Sequence, residues 1–312
     1  MEFKVNKLDI AELDCVYLSY DEPNKEENWV KIKNMVPWAM RVDGVKGSDA
    51  AHKAAADVAV TDRFILIDGD NVPDDNFFDL ALSIDEDNKD CVFRWRARNV
   101  INGLMYGNGG LSCWTKDFIY NMKTHENSDG TAANDVEFCF YPNYIAMYDC
   151  YSTTFPNASP FQAWRSGFRE GVKMCLDRGT KPTLQEFKNK VNSRNLDHLT
   201  IWQNVGRDIE NGIWAILGAR MGTYMLMLNP TWDYKEVQNF DTLKTIYDTI
   251  DGHNPEQIAG RLATDLSTQL DLPITMLDEN SSKFFKAHYR SDWHNKGVMI
   301  REIDVIRQQE GW

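Results

Sequence analysis

Arg63-Phe64-Ile65-Leu66-Ile67-Asp68-Gly69-Asp70-Asn71 is the stretch on which the fold turns. Its apolar run, Phe64 to Ile67, reads as a short buried strand, and it leads directly into three polar residues around a glycine. Two carboxylates one residue apart at a strand end can both reach a single hard cation, and Gly69 lets the backbone turn tightly between them. A cation held this way keeps positions open for phosphate oxygens. Taken alone, the same triplet also describes a solvated acidic turn.

The residues upstream supply the rest of a repeating pattern. Ala50 to Ala59 is an Ala-rich helix for which Ser48 reads as the N-cap. Before it, Ala39 to Val42 is a second short strand, Asn28 to Val36 a helix, and Cys15 to Tyr20 a first strand ending in Tyr20-Asp21-Glu22-Pro23. Repeated strand, helix, strand units predict an α/β protein with a parallel-rich sheet and a ligand crevice at the strand C-terminal ends. The polar strand ends at residues 20–22, 43 and 68–71 would converge there.

Downstream, a strand begins at Cys91, and Gly103, Gly107, Gly109 and Gly110 mark hairpins or close backbone approach. Val136 to Ala146 is strand-like, interrupted by Pro142. After Pro160 the pattern becomes helical: Phe161 to Arg178, Thr183 to Ser193, Ile201 to Leu228 in two pieces, Phe240 to Asp251 and Glu256 to Leu270. The boundary falls near residue 155, giving a core over 1–155 and a helical region over 156–312.

The chain of 312 residues carries 34 Lys+Arg against 47 Asp+Glu, a net charge of −13, with 43% hydrophobic and 12% aromatic residues. That balance describes a soluble globular protein and disfavours indiscriminate binding to nucleic acid or anionic membrane. The opening residues lack an apolar core of the signal-peptide kind, and Ile213 to Leu228 is too short and too interrupted for a membrane span, so a cytoplasmic protein is expected. Six cysteines without a C-x-x-C pair, most of them in apolar runs, read as buried free thiols. His52, His125, His198 and His253 read as surface or loop residues.

The segment from Gly47 to Asn71, a small-residue helix with a basic residue followed by a turn, an apolar strand and D-x-D, resembles the core of GT-A fold glycosyltransferases. The resemblance extends to the first strand with its polar end and covers roughly residues 14–150. It implies a Rossmann-like, mostly parallel central sheet and a divalent metal, Mn2+ or Mg2+, associated with Asp68 and Asp70 and bridging the diphosphate of a nucleotide sugar. Tyr20 would stack on the base, Asp21, Glu22 or Asp43 would bind base or ribose, and Lys53 would meet a phosphate. Many relatives carry Arg-Asn where this chain has Lys53-Ala54, which leaves the contacts of that helix open. Gly109 and Gly110 would approach the donor sugar. Asp135, with Glu137 two residues on, would be the general base of an inverting enzyme; a retaining enzyme would not need one. A late histidine, His288 or His294, would return to the metal, so that the C-terminal segment comes back to the active site.

Charge is unevenly spread. Asp68 to Asp90 holds nine acidic residues and one basic, whereas Pro160 to Arg194 holds eight basic and three acidic. Arg94, Arg96 and Arg98 alternate on one strand face, and Arg165, Arg169 and Lys173 share one helix face. Both stripes suit a polyanionic acceptor such as DNA, with Trp95, Tyr106 or Trp114 to hold a flipped base. The stretch Phe93 to Gly110 is similar to bacteriophage glycosyltransferases that modify hydroxymethylcytosine in DNA, which implies a UDP-sugar donor (arabinose or glucose) and location in the infected bacterial cytoplasm. Two alternatives stand beside this expectation: transfer to a surface glycan or protein, and a non-catalytic protein that binds nucleotide or DNA.

Overall fold

A computed structural model describes residues 6–107, 110–127 and 141–288, together with 300, 303, 305, 307–309 and 311. The chain forms two compact units, Met1–Asn99 with Met105–Phe155, and Val100–Leu104 with Pro156–Trp312.

The first unit contains β1 (Asn6–Asp9), β2 (Asp14–Ser19), α1 (Lys25–Met35), β3 (Met40–Asp43), α2 (Ser48–Val58), β4 (Arg63–Asp68), β5 (Asn71–Pro73), β6 (Ala81–Ile84), β7 (Val92–Asn99), β8 (Met105–Tyr106), β9 (Leu111–Thr115), α3 (Lys116–Asn121) and β10 (Tyr144–Thr154). β1 and β6 pair as a small separate sheet. The main sheet has the order β3-β2-β4-β9-β7-β10-β5, with β8 beside β7. β3, β2 and β4 are mutually parallel; β9 is antiparallel to β4 and to β7, and β10 is parallel to β7. β2, β3, β4, β7 and β10 therefore all run one way, while β5, β8 and β9 run against them. The sheet is α/β and mixed, whereas a mostly parallel one was expected. The difference comes from β9, whose buried run Leu111–Trp114 is inserted between two strands of the parallel set.

Each sheet face is covered by a different helix. Tyr17, Ile65, Ile67, Phe93, Trp95 and Cys113 pack with Ile32 of α1 and with Val36 just after it. On the other face Val16, Phe64, Leu66, Val92 and Trp114 meet Ala55 and Ala56 of α2 and Phe118 of α3. The small alanines let α2 lie close to the sheet. Ser48 is not the cap of that helix: it is already helical, Gly47 stands at the N-cap with φ +97°, and the Glu126 carboxylate accepts the Ala50 N–H at 2.9 Å. Nor is His52 a surface residue, since it is buried edge-on to Trp114 with Nδ1 2.7 Å from the Ser48 carbonyl.

The second unit contains α4 (Pro160–Lys173), α5 (Phe187–Lys190), α6 (Ser193–Asn204), α7 (Gly212–Met227), α8 (Phe240–Asp248), α9 (Pro255–Leu270) and α10 (Glu279–His288). Ser159 and Asn254 cap α4 and α9 through their side chains, each followed by proline at the first helical position, where a missing N–H is harmless. α4 and α7 cross at glycines: a Cβ on Gly167 or Gly171 would sit 2.0 or 2.2 Å from the carbonyl of Ala215 or Ala219, and one on Gly218 or Gly222 would sit 2.1 Å from the carbonyl of Trp164 or Phe168. Arg220 of α7 is buried and donates to the carbonyls of Gln203, Ala259 and Thr275 at 2.7–2.9 Å, tying α6, α9 and the following chain together. Burial, and then the charge of Arg207, push its pKa down to about 10. His198 is buried in α6, a further departure from the surface placement expected of it. Among the described residues no helix is long and apolar enough to cross a membrane.

Candidate functional site

The C-terminal ends of β2, β3 and β4 lie side by side, since Leu18 pairs with both Val42 and Asp68, and Ser19 pairs with Asp43. The acidic turn after β4 is fixed through its backbone. Asp68 N–H donates to the Gly110 carbonyl at 2.9 Å, and Phe155 N–H donates to the Asp70 carbonyl at 2.7 Å. The Gly69 carbonyl between them accepts from Tyr17 OH at 2.6 Å and from Asn28 Nδ2 at 3.0 Å. Two side chains from β2 and α1 thus hold the peptide that separates the two aspartates. Neither role is visible in local sequence, where Tyr17 is one residue of an apolar strand and Asn28 one polar residue of a helix.

Above Gly69 sits Glu22. A Cβ at position 69 would lie 2.5 Å from Glu22 Oε2, so the glycine leaves room for the Glu22 carboxylate over the turn. Glu22 accepts the Tyr20 N–H at 2.8 Å. Burial, and next the charges of Asp70 and Asp21, raise its pKa against the opposing Tyr20 amide. Burial likewise raises the Tyr17 phenol, with the Glu22 and Asp70 charges adding to it. The turn therefore concentrates negative charge in a poorly solvated place, an arrangement that divalent cation binding would relieve. Among the described residues no three His, Cys, Asp or Glu side chains are grouped to hold a metal by themselves. Asp68 and Asp70 would offer two carboxylates to a hard cation, whose remaining ligands would have to be phosphate oxygens and water.

Asp43 belongs to a separate network beside α1. Its carboxylate accepts from Ser19 Oγ at 2.7 Å and from Lys25 Nζ at 2.8 and 3.0 Å, and Arg41, itself bidentate on Glu26, stands 3.3 Å away. Burial raises the Asp43 pKa, but these partners outweigh it and leave the group below its ordinary value. Lys25 also donates to the Tyr20 carbonyl at 2.7 Å, which links Asp43 to the end of β2. Tyr20 is half-buried and Asp21 exposed. Lys53 is paired within α2 to Asp49 at 2.6 Å.

The cationic side of the site comes from β7. Leu66, Ser112 and Arg94 form one cross-strand row over β4, β9 and β7. Side chains alternate between faces, so Asp68 and Arg96, each two residues further on, share the face of Leu66 and Arg94. β4 and β7 are two strands apart, about 10 Å between backbones. Arg94 reaches across Gly107, where a Cβ would lie 0.8 Å from its Nη1. Gly110 stands at the end of β9 with its carbonyl committed to Asp68.

Several other expected site residues are engaged in packing or belong to the second unit. Arg165 is buried with its guanidinium 4.4 Å from the Phe240 ring centre, Arg169 lies 5.3 Å from the same ring, and Lys173 is 4.0 Å from Glu170. The helix face read as an open basic stripe is the face against which Phe240, at the start of α8, packs. Trp95 and Trp114 are core residues, which removes them as holders of a flipped base. His288 lies in the second unit at the end of α10, with Nδ1 2.8 Å from the Phe284 carbonyl. Asp135, Glu137, Gly109 and His294 lie outside the described residues. Of the described cysteines, Cys15, Cys91, Cys113 and Cys175 are buried and Cys150 half-buried, all as free thiols; burial pushes Cys15 and Cys175 up to about 12. No family model, curated protein or solved structure matches the chain.

Proposed function

We propose that the protein is a metal-dependent glycosyltransferase of the GT-A type, moving a sugar from a UDP donor to 5-hydroxymethylcytosine in phage DNA. The observation that carries this reading is the acidic turn. Asp68 and Asp70 leave a strand end in the parallel part of an α/β sheet, with the Gly69 peptide held by Tyr17 and Asn28 at 2.6 and 3.0 Å. Ligand sites of open α/β sheets lie at such strand ends.

Asp68 and Asp70 would hold Mn2+ or Mg2+, and Glu22 and Asp43, which follow or end the neighbouring strands β2 and β3, would meet base or ribose. A bound divalent cation supplies Lewis-acid stabilisation of the charge that builds on the leaving diphosphate. The chain's own contribution is positional. The hydrogen-bonded Gly69 peptide fixes the spacing of the two carboxylates, and Arg94 and Arg96 bring positive charge to the same sheet face. In an inverting reaction Asp135 or Glu137 would take the proton of the acceptor hydroxyl as it attacks the anomeric carbon and UDP departs.

Mn2+-dependent release of UDP from UDP-glucose or UDP-arabinose in the presence of hydroxymethylated DNA tests the proposal. Asp70→Ala is expected to reduce release by at least a hundredfold, on the order of the loss when an electrostatic stabiliser of the transition state is removed. Unchanged turnover in that variant would overturn the metal assignment, and absence of label on DNA with every donor would overturn the acceptor.

A further inference from the structure

Tyr148 is 72% exposed, while Tyr144 on the same strand is buried. It stands where β10 departs from regular pairing. Ala146 is opposite Arg94 and Cys150 is opposite Arg96, so the three residues 147–149 span the place of the single residue Trp95. Bulges of this kind re-aim a side chain. The Arg96 guanidinium lies 4.2 Å from the centre of the Tyr148 ring, a close cation–π stack. Since Tyr148 stays largely exposed, the guanidinium covers only part of it. Arg94 and Arg98 flank Arg96 on the same strand face, spaced about 6.6 Å apart along the strand, and Arg98 is exposed. Their partners on β10, Ala146 and Thr153, bring no charge to this face. The only acid within the bulge is Asp149.

An outward aromatic ring braced by arginine, beside a row of arginines in a chain of net charge −13, is complementary to a ligand with both phosphates and flat bases. We propose that the β7–β10 face binds a single-stranded or locally opened segment of nucleic acid, with Tyr148 as the stacking platform for an unpaired base and Arg94, Arg96 and Arg98 meeting phosphates. This rests on the DNA-acceptor reading above and adds the surface and the strandedness of the segment. A closed duplex presents no base face to Tyr148, so the platform selects opened DNA.

The test is fluorescence anisotropy of the full-length protein with a labelled oligonucleotide containing hydroxymethylcytosine, single-stranded and as a closed duplex. The single strand is expected to bind the more tightly. Tyr148→Ala should weaken its binding roughly 5- to 100-fold, the usual range for loss of one base–aromatic stack, whereas Tyr148→Phe should stay within about threefold because it keeps the π-face. Arg98→Ala should reduce the slope of log K against log salt by about 0.7, one phosphate contact on a single strand. Binding of Tyr148→Ala within twofold of wild type, or tighter binding of closed duplex, would overturn the proposal. Mn2+-dependent UDP release by the wild-type protein in the presence of hydroxymethylated DNA is measured in parallel. UDP release without Tyr148-dependent oligonucleotide binding sinks this surface and leaves the transferase standing; binding with the expected Tyr148 dependence but no UDP release with any donor sinks the transferase and leaves the surface.

Discussion

Glu22 is a carboxylate whose ionisation is costly in the acidic turn. Burial raises its pKa first, and the charge of Asp70 next. For a group raised in the folded state, its contribution to stability is complete below the ordinary carboxylate value and is lost as pH rises through the elevated folded value. Glu22→Gln keeps an oxygen to accept the Tyr20 N–H, which Glu22 accepts at 2.8 Å, and removes the charge. Its thermal midpoint should therefore exceed that of wild type at pH 7, with the gain fading as pH falls through the elevated folded value and gone below the ordinary carboxylate value. An equal gain at pH 3 would show that packing, not charge, separates the two proteins. Saturating Mn2+ is expected to offset the same repulsion by binding the ionised turn: about 2.7 kcal/mol of stabilisation at a hundredfold excess over Kd, read as a midpoint shift that Asp70→Ala removes.

At the scale of elements, the α4–α7 crossing is the most exacting contact in the second unit. Gly218→Ala would gain up to about 1 kcal/mol of helix propensity, yet its methyl would meet the Trp164 carbonyl at 2.1 Å, a backbone atom that cannot swing aside. Net destabilisation of about 2 kcal/mol or more is expected from urea unfolding, because the two helices must separate. Gly260→Ala in α9 is the matched control: nothing lies within 4 Å of the added carbon, so only the propensity gain remains. If both variants lose stability equally, close packing at Gly218 is not the cause. The same helices mark the limit of what sequence shows. Arg165, Arg169 and Lys173 do fall on one face of α4, as their spacing requires, but spacing is silent on which face a neighbour covers. Phe240, 75 positions along the chain from Arg165, decides it. β4 was legible because Phe64 to Ile67 form an uninterrupted buried run. Asn71–Pro73 and Met105–Tyr106 are too short for any periodicity, and exist only through pairing with β10 and β7. Asp68 and Asp70 could be singled out from local sequence, whereas Tyr17 and Asn28, which hold Gly69, are joined to it only by the fold.

For the whole molecule, the net charge of −13 and the arginine row of β7 act over different distances. At 10 mM salt the Debye length is about 30 Å, and an approaching oligonucleotide experiences the charge of the entire chain, which repels it. Near 150 mM the length is about 8 Å, and the oligonucleotide responds mainly to Arg94, Arg96 and Arg98 close at hand. Above that, counterion release weakens each phosphate contact in the usual way. Affinity of the wild-type protein for a single-stranded oligonucleotide should therefore pass through a maximum at intermediate salt, on the order of 50–150 mM given those screening lengths, and fall on both sides. A uniformly basic protein would bind ever more tightly down to the lowest salt. Anisotropy titrations from 10 to 400 mM salt, a range of about 30 to 5 Å in screening length, distinguish the two behaviours. A monotonic rise in affinity toward low salt would mean that the acidic residues, including the nine between Asp68 and Asp90, do not oppose the approaching strand. A maximum that moves to lower salt when some of those acids are neutralised, as in Asp85→Asn with Glu86→Gln and Asp87→Asn, would show that long-range repulsion sets the rising limb.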